Sequence, residues 1–195
     1  MKKMTNRAKQ AEATKNKIYE CGVNLIRKHG FDQVTVEQIS KEAGVSVGTY
    51  YYYFQSKFDL FSEIFKRGDE YFQTHVATSL QAEDSLKQII EFFDKYADFN
   101  ILNGIEMVKK LYTANNKMFI TKGRAMQNIL NTIIERGQAN SRISIRLSSQ
   151  EITAALFVTA RGVVYEWCLY DGTIDLKQEM KKIITLLVTG LAQHP

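Results

Sequence analysis

Apolar positions recur with the period of an α-helix along most of the chain. The first stripe lies between Ala11 and His29 and is followed by Gly30, a typical residue after a helix end. A long apolar series from Ser56 to about Leu80 predicts a second extended helix. The remaining helix-period segments are 84–99, 103–114, 118–140, 149–171 and 174–192. Because the only proline is the last residue, the pattern predicts an all-α protein of about nine helices.

Two short helices are predicted between Thr35 and Phe54. Thr35 is a favoured N-cap residue, and Gln38 stands three positions later, where it completes a capping box. Gly44 suits the end of that helix, and Ser46 provides a second N-cap after a very short turn. This spacing predicts a helix-turn-helix, with the helix before Gly30 packed behind it.

The run Tyr50–Tyr53 has two interpretations. Aromatic residues favour strands, so propensity alone indicates a β-segment. A five-residue aromatic strand with no neighbouring hairpin would however be an unprotected edge. The caps on both sides, Ser46 before the run and Ser56 with Asp59 after it, favour one helix of about two turns.

The sequence GFDQVTVEQIS followed by AGVSVGTYYYYFQSK resembles the DNA-binding signature of the TetR family of bacterial transcriptional regulators, over roughly residues 18 to 65. One departure is Tyr50, where the family usually carries an aliphatic residue, so its hydroxyl must reach the domain rim or a partner. The resemblance implies a DNA-binding domain over residues 1–56. It also implies an effector-binding and dimerisation domain over residues 57–195.

The first turn of the second short helix is predicted to enter the major groove. Val47 is suited to contact a thymine methyl group, and Gly48 permits close backbone approach. The family pattern implies that Tyr51 and Lys57 contact phosphates, with Thr35 and Thr49 as further phosphate anchors. It implies that Tyr52 contacts phosphate or base. The predicted DNA-binding residues are Thr35, Ser46, Val47, Gly48, Thr49, Tyr51, Tyr52, Tyr53 and Lys57. The predicted operator is a near-palindromic double-stranded DNA site, bound by a dimer.

The excess positive charge lies in the first part of the chain. Residues 1–57 contain ten Lys or Arg and five Asp or Glu, whereas residues 58–195 contain sixteen of each. A segment that approaches phosphates gains attraction and counterion release from this asymmetry. Residues 1–10 form a basic arm with Lys2, Lys3, Arg7 and Lys9, which either reaches DNA or is a frayed terminus.

The last two long helices are predicted to form a homodimer. Segment 149–171 has apolar or small residues on more than one face, and segment 174–192 has a broad stripe, so one subunit core does not cover both. Pairing with symmetry mates would give a four-helix bundle. The predicted dimerisation residues are Ala155, Val158, Gly162, Tyr165, Ile183, Ile184, Leu187 and Leu191.

The aromatic and polar residues after Ser85 are typical of a small-molecule pocket, although such stripes more often form plain core. Glu166 beside Trp167 is a carboxylate on an apolar helix, which needs Arg161, solvent or a cationic ligand as its partner. The expected effector is a small hydrophobic or cationic molecule that releases the regulator from DNA. The candidate effector residues are Phe92, Tyr96, Met107, Tyr112, Met126, Arg161, Glu166 and Trp167. The alternative is a DNA-bound protein whose second domain binds a protein partner.

No pattern in the sequence indicates catalysis, a metal site or a cofactor. The histidines His29, His75 and His194 have no Cys, Asp or Glu at metal-ligand spacing, and there is no Gly-rich phosphate loop. The basic amino terminus precedes no apolar segment, and no run of eighteen apolar residues occurs. The sequence therefore predicts a cytoplasmic bacterial DNA-binding protein that is not an enzyme and has no membrane partner.

Overall fold

The computed structural model describes residues 5–80, 82–113 and 116–192. The α-helices of these residues are α1 Asn6–His29, α2 Val36–Ala43, α3 Val47–Tyr53, α4 Asp59–Tyr71, α5 Ala77–Ser79, α6 Ser85–Asn103, α7 Ile105–Leu111, α8 Ala125–Ala139, α9 Ser149–Leu169 and α10 Leu176–Leu191. A π-helical turn, Phe72–Val76, joins α4 to α5 in one continuous run. Counted with that run as one, the described chain has the nine predicted helices and no strand, so the all-α prediction is confirmed.

The chain divides into two compact units, one ending at Phe65 and the other beginning at Lys66. This boundary lies nine residues after the predicted one at 56/57. Its cause is the first half of α4, where Leu60, Phe61 and Ile64 are at most 1% exposed. The Phe61 ring lies 5.0 Å from the ring of Phe31, within the first unit.

The first unit is a small helical domain with its own core. Its buried side chains come from α1, α2, α3 and α4 and include Ile18, Ile26, Ile39, Tyr50, Phe54 and Leu60. Lys15 on α1 forms an ion pair with Glu63 on α4, whose side chain is 10% exposed. A nearly buried carboxylate requires such a partner, and Lys15 supplies it.

Some predicted boundaries differ from the structure for local reasons. The predicted basic arm is partly helical, because Thr5 caps α1 and accepts from Ala8 N at 3.3 Å, so Arg7 and Lys9 lie in its first turns. Lys2, Lys3 and His194 lie outside the described residues. The helix expected from Ser56 begins at Asp59, whose carboxylate accepts from Ser56 Oγ and Gln55 N. The predicted helix 118–140 is a 3₁₀ turn, Lys117–Ile120, and then α8. Gly123, with φ of 77°, separates the two.

The second unit is built around α6, which packs against α8, α9 and α10. Its centre is an aromatic cluster in which the rings of Phe92, Phe93 and Tyr96 each lie within about 6 Å of the Phe157 ring. All three ring pairs are edge-to-face, a geometry that aromatic quadrupoles favour. The predicted segment 103–114 is shorter, because Gly104, with φ of 83°, ends α6 and α7 begins at Ile105.

Helix α9 is long and apolar enough to satisfy a length-and-composition test for a membrane span. Half of its most apolar stretch is buried inside the second unit. A core helix passes the same test, so this helix is weak support for a membrane location.

We predict that Gly137→Ala destabilises the protein by about 1–3 kcal/mol, because overpacking forces neighbouring atoms to move. A Cβ atom at this position would lie 2.5 Å from Ile143 Cδ1 and 2.9 Å from Ser85 Cβ. The control is Gly190→Ala, whose Cβ meets nothing within 4 Å. Denaturant unfolding should show a lower midpoint for the first variant only. Equal midpoints would contradict the close packing at Gly137.

Candidate nucleic-acid interface and effector groove

The turn between α2 and α3 is held by side-chain and backbone hydrogen bonds. Thr35 Oγ1 accepts from Gln38 N at 3.3 Å and Thr35 N donates to Gln38 Oε1 at 2.8 Å, so the predicted capping box is present. Gly44 adopts φ 65° and ψ 36°, the left-handed conformation that glycine tolerates best. Val45 N donates to Ser40 O at 2.9 Å, and Ser46 Oγ accepts from Thr49 N at 3.0 Å.

The tyrosine run is helical, and its members face different ways. Tyr50 is fully buried, and its hydroxyl donates to Ser56 O at 3.2 Å, which supplies the partner that this departure from the family pattern requires. Burial raises the pKa of Tyr50 well above its ordinary value. Tyr51 and Tyr52 are 49% and 81% exposed, so α3 is anchored by one tyrosine and presents the next two to solvent.

The start of α3 presents hydrogen-bond donors beside small side chains. Gly48 is exposed, and Val47 and Thr49 are half-buried. Thr35 is exposed, and its hydroxyl accepts from Gln38 N and hydrogen-bonds to the Glu37 carboxylate. Thr35, Ser46, Val47, Gly48 and Thr49 therefore lie at the N-termini of α2 and α3, where a helix dipole favours anions. The other predicted contacts on α3 lie in its second half: Tyr51, Tyr52 and Tyr53.

Lys57 makes contacts inside the first unit. Its ammonium donates to the carbonyls of Phe31 and of Val34, the latter at 2.6 Å, and lies 4.1 Å from the centre of the Phe31 ring. These contacts tie the start of α4 to the segment between α1 and α2. The phosphate contact predicted for Lys57 therefore competes with a structural role in the same domain.

Helices α9 and α10 expose apolar side chains from the second unit. Val158, Tyr165 and Leu187 are 59%, 51% and 38% exposed, and Ala155 and Gly162 are also exposed. Ile183 and Leu191 are half-buried. Ile184 is fully buried in its own subunit, so its assignment to a dimer surface is wrong.

A groove of about 580 Å³ lies between the 3₁₀ turn and the helices α8 and α9 of the second unit. It is larger than two other depressions of this unit, of about 340 Å³ and 410 Å³. Phe119, Ile120, Phe157 and Val158 provide apolar walls, and Lys122 and Arg161 provide positive charge. Its one acidic wall residue, Glu151, is already bound to Ser148 at the start of α9, which lowers the pKa of the carboxyl.

Arg161 connects the groove to the aromatic core. Its Nη1 donates to Phe119 O at 2.7 Å, and its guanidinium lies 5.7 Å from the Phe119 ring centre. The Tyr112 ring lies 4.7 Å from the Phe119 ring, and the Tyr112 hydroxyl lies 2.8 Å from that of Tyr96. Burial raises the pKa of both tyrosines, so both remain neutral donors and acceptors.

The candidate effector residues do not form one site. Of these residues, only Arg161 lines the groove. Tyr96 packs against the groove residue Phe157, and Tyr112 packs against the groove residue Phe119. Four further candidate effector residues are buried and at most 6% exposed: Phe92, Met107, Met126 and Trp167. Glu166 is exposed, so solvent is its partner. Among the described residues, no group of three His, Cys, Asp or Glu side chains is placed to hold a metal ion.

Sequence reasoning missed Phe119, Lys122 and Thr153, which line the groove. Phe119 and Lys122 come from the 3₁₀ turn and the residues after it, and Thr153 comes from α9. The first two fall in a segment predicted as continuous helix. Only the break at Gly123 could have indicated that this segment folds back against α9.

The fold and the exposed start of α3 define a helix-turn-helix DNA-binding protein. Residues 18–64 match the model of the bacterial regulatory proteins of the tetR family. The sequence resemblance to the TetR family is confirmed.

Similarity to known regulators extends over the whole chain. The fatty acid metabolism regulator protein of Bacillus subtilis is 28% identical over 194 residues, which cover 94% of this chain and 98% of that protein. The crystal structure of the transcriptional regulator FadR from B. subtilis in complex with stearoyl-CoA has a TM-score of 0.74 and 24% identity, covering 90% of this chain and 98% of that one. The fatty acid degradation regulator FadR of Bacillus halodurans has a TM-score of 0.69 and 24% identity, covering 99% and 100%. Both structures share the fold.

We predict that Tyr51→Phe weakens DNA binding by a similar factor on all sequences and leaves unfolding unchanged, because Tyr51 is exposed. Lys57→Ala should lower the unfolding free energy by about 1–3 kcal/mol through its lost carbonyl and ring contacts. Denaturant unfolding and fluorescence anisotropy with two unrelated DNA duplexes test both.

The salt dependence of binding separates the two roles of Lys57. If Lys57 also contacts a phosphate, the slope of log affinity against log salt should fall by about 1 in Lys57→Ala. An unchanged slope with reduced stability would assign it a structural role alone. Unchanged stability would contradict the role derived from its contacts.

Proposed function

We propose that this protein is a dimeric repressor that binds a near-palindromic operator and is released from it by a fatty acyl-CoA. The observation that carries the proposal is the similarity over the whole chain, including the second unit, to the fatty acid metabolism regulator protein of B. subtilis. A match confined to the helix-turn-helix would support DNA binding alone.

The groove beside Arg161 supports an amphiphilic effector. Its Phe and Val walls suit an alkyl chain, and its volume of about 580 Å³ lies within the usual range of ligand pockets, about 300–1,000 Å³. Arg161 has five N–H donors and uses one on Phe119 O, and Lys122 adds a second cation. These charges favour an anionic ligand over the cationic one expected from Glu166. The phosphates of coenzyme A are negatively charged, and the similar FadR was crystallised with stearoyl-CoA.

The mechanism requires unequal binding of the effector to two forms of the protein. A ligand shifts a two-state equilibrium only by its differential affinity, and nearly complete switching needs about 5.5 kcal/mol. A typical coupling of about 1–3 kcal/mol corresponds to a reduction in operator affinity of roughly 5- to 150-fold. The repressor would act in the cytoplasm, on the chromosome.

The alternative, a DNA-bound protein that takes a protein partner, is less well supported. The aromatic core of the second unit is filled, which that alternative predicts. The groove nevertheless has the size and the mixed lining of a small-molecule site. Similarity of the second unit to an acyl-CoA-bound regulator also favours the small molecule.

We predict that stearoyl-CoA lowers the affinity for an operator from the protein's own promoter region at least roughly fivefold, whereas CoA alone does not. Arg161→Gln should require about tenfold more stearoyl-CoA, because a hydrogen bond to a charged group is lost. Fluorescence anisotropy of labelled operator measures both. The matched control is Arg146→Gln, an exposed arginine outside the groove.

An operator affinity that no acyl-CoA alters would contradict the effector and leave DNA binding intact. An equal response of the Arg161 and Arg146 variants would contradict the placement of the effector in this groove.

We also predict that Tyr165→Glu converts the dimer to monomers, because it places a charge on the exposed apolar face of α9 and α10. Analytical ultracentrifugation should give a sedimentation coefficient near that of one 22.4 kDa chain. The control is Ile145→Glu, which alters a 75% exposed apolar residue before α9. A dimer retained in Tyr165→Glu would refute this interface.

A further inference from the structure

We infer that the wall between α8 and α9 binds a ligand group that donates and accepts hydrogen bonds at once, a secondary amide or a hydroxyl, through Asn131 and Thr153. Both residues line the groove. The inference rests on the proposed function, since it places one chemical group of the effector in the groove beside Arg161.

Thr153 on α9 is 7% exposed, and its hydroxyl has no hydrogen-bond partner among the described residues. Threonine hydroxyls within helices usually donate to the carbonyl four residues earlier. Thr132 on α8 and Thr159 on α9 do so, at 3.0 Å and 3.1 Å. The Thr153 hydroxyl is therefore in an unusual state for a helical threonine of this protein.

Asn131 on α8 has a defined amide orientation. Its Nδ2 donates to Glu135 Oε1 at 2.7 Å, and a flipped amide would place two acceptors against each other. The remaining atom, Oδ1, is buried and has no partner within the described chain. It can only accept, so its partner must be a donor.

Buried polar atoms without partners are rare in folded proteins and call for an explanation. Here two of them belong to residues of one groove, on facing helices. Both atoms are covered from solvent in this structure, so a ligand reaches them after a side-chain rotation, such as that of Thr153 about χ1. A ligand that supplies their partners gains hydrogen bonds that the protein alone lacks.

A secondary amide matches both residues, because its N–H can donate to Asn131 Oδ1 and its carbonyl can accept from Thr153 Oγ1. A carboxylate or a plain alkyl chain supplies no donor. The groove then recognises an alkyl chain, an amide and an anion in one molecule. The pantetheine arm of an acyl-CoA carries such amides between its acyl chain and its phosphates.

The test compares ligands by isothermal titration calorimetry. Lauroyl-pantetheine carries amides, 3-hydroxylaurate carries a hydroxyl, and laurate carries neither. We expect the full-length protein to bind at least one of the first two about tenfold more tightly than laurate, the effect of one or two hydrogen bonds. Whichever of lauroyl-pantetheine and 3-hydroxylaurate binds more tightly shows whether the recognised group is an amide or a hydroxyl.

The decisive variant is Thr153→Val, which removes the hydroxyl and nearly preserves side-chain volume. We expect it to abolish the preference over laurate, to leave laurate binding unchanged and to raise the melting temperature of the protein without ligand. A hydroxyl that merely stabilises the core would lower the melting temperature on removal. Thr159→Val, which removes a hydroxyl that is bonded within α9, is the control and should keep the preference.

Equal affinity for all three ligands would overturn the inference, as would a Thr153→Val protein with an unchanged preference or a lower melting temperature. If stearoyl-CoA releases the operator from both wild type and Thr153→Val with equal potency, the proposed function survives and only this inference fails. If stearoyl-CoA never releases the operator, the effector assignment fails first, whatever the three ligands show.

Discussion

The predicted DNA-binding surface is presented by α3, which the burial of Tyr50 anchors to the first unit. Helix α3 has only seven residues, and isolated helices of that length are unstable in water. Tyr50 is fully buried beside Phe54, at 5.6 Å between ring centres, and its hydroxyl reaches Ser56 O. The other face of α3 exposes Tyr51 and Tyr52 to solvent. Large exposed aromatic side chains do not stabilise the domain itself and are available to a binding partner.

The two units differ in what determines their structure. In the first, local rules agree with the fold: caps, a left-handed glycine and a short turn all specify two crossed helices. In the second, the aromatic cluster supplies the stability, and the exceptions lie at the groove, where two buried polar atoms have no hydrogen-bond partner among the residues that the structure describes. Exceptions to local rules are expected at functional sites.

The sequence predicted the elements that short-range chemistry determines. Thr35, Gly44 and Ser46 each act through residues at most four positions away, so the helix-turn-helix could be predicted closely. Lys57 could not be understood in this way, since its carbonyl partners lie 23 and 26 residues earlier in the chain.

The effector residues show the same limit. Aromatic periodicity identified Phe92 and Met107 as apolar, but it does not distinguish core from cavity wall, and both are core. The groove depends on the turn near Phe119 folding against α9, a contact between residues 42 positions apart. Thr153 has a buried hydroxyl without a hydrogen-bond partner in the described part of the chain, which no pattern of residue types reveals.

The apolar outer side of α9 also bears on how the protein responds to its own abundance. If two chains must join through Val158 and Tyr165 before either can hold an operator, the amount of competent protein at low expression rises with the square of the number of chains. Occupancy of the operator would then change steeply over a narrow range of synthesis rates. A small change in gene expression would switch the target promoter more sharply than a single-chain binder could.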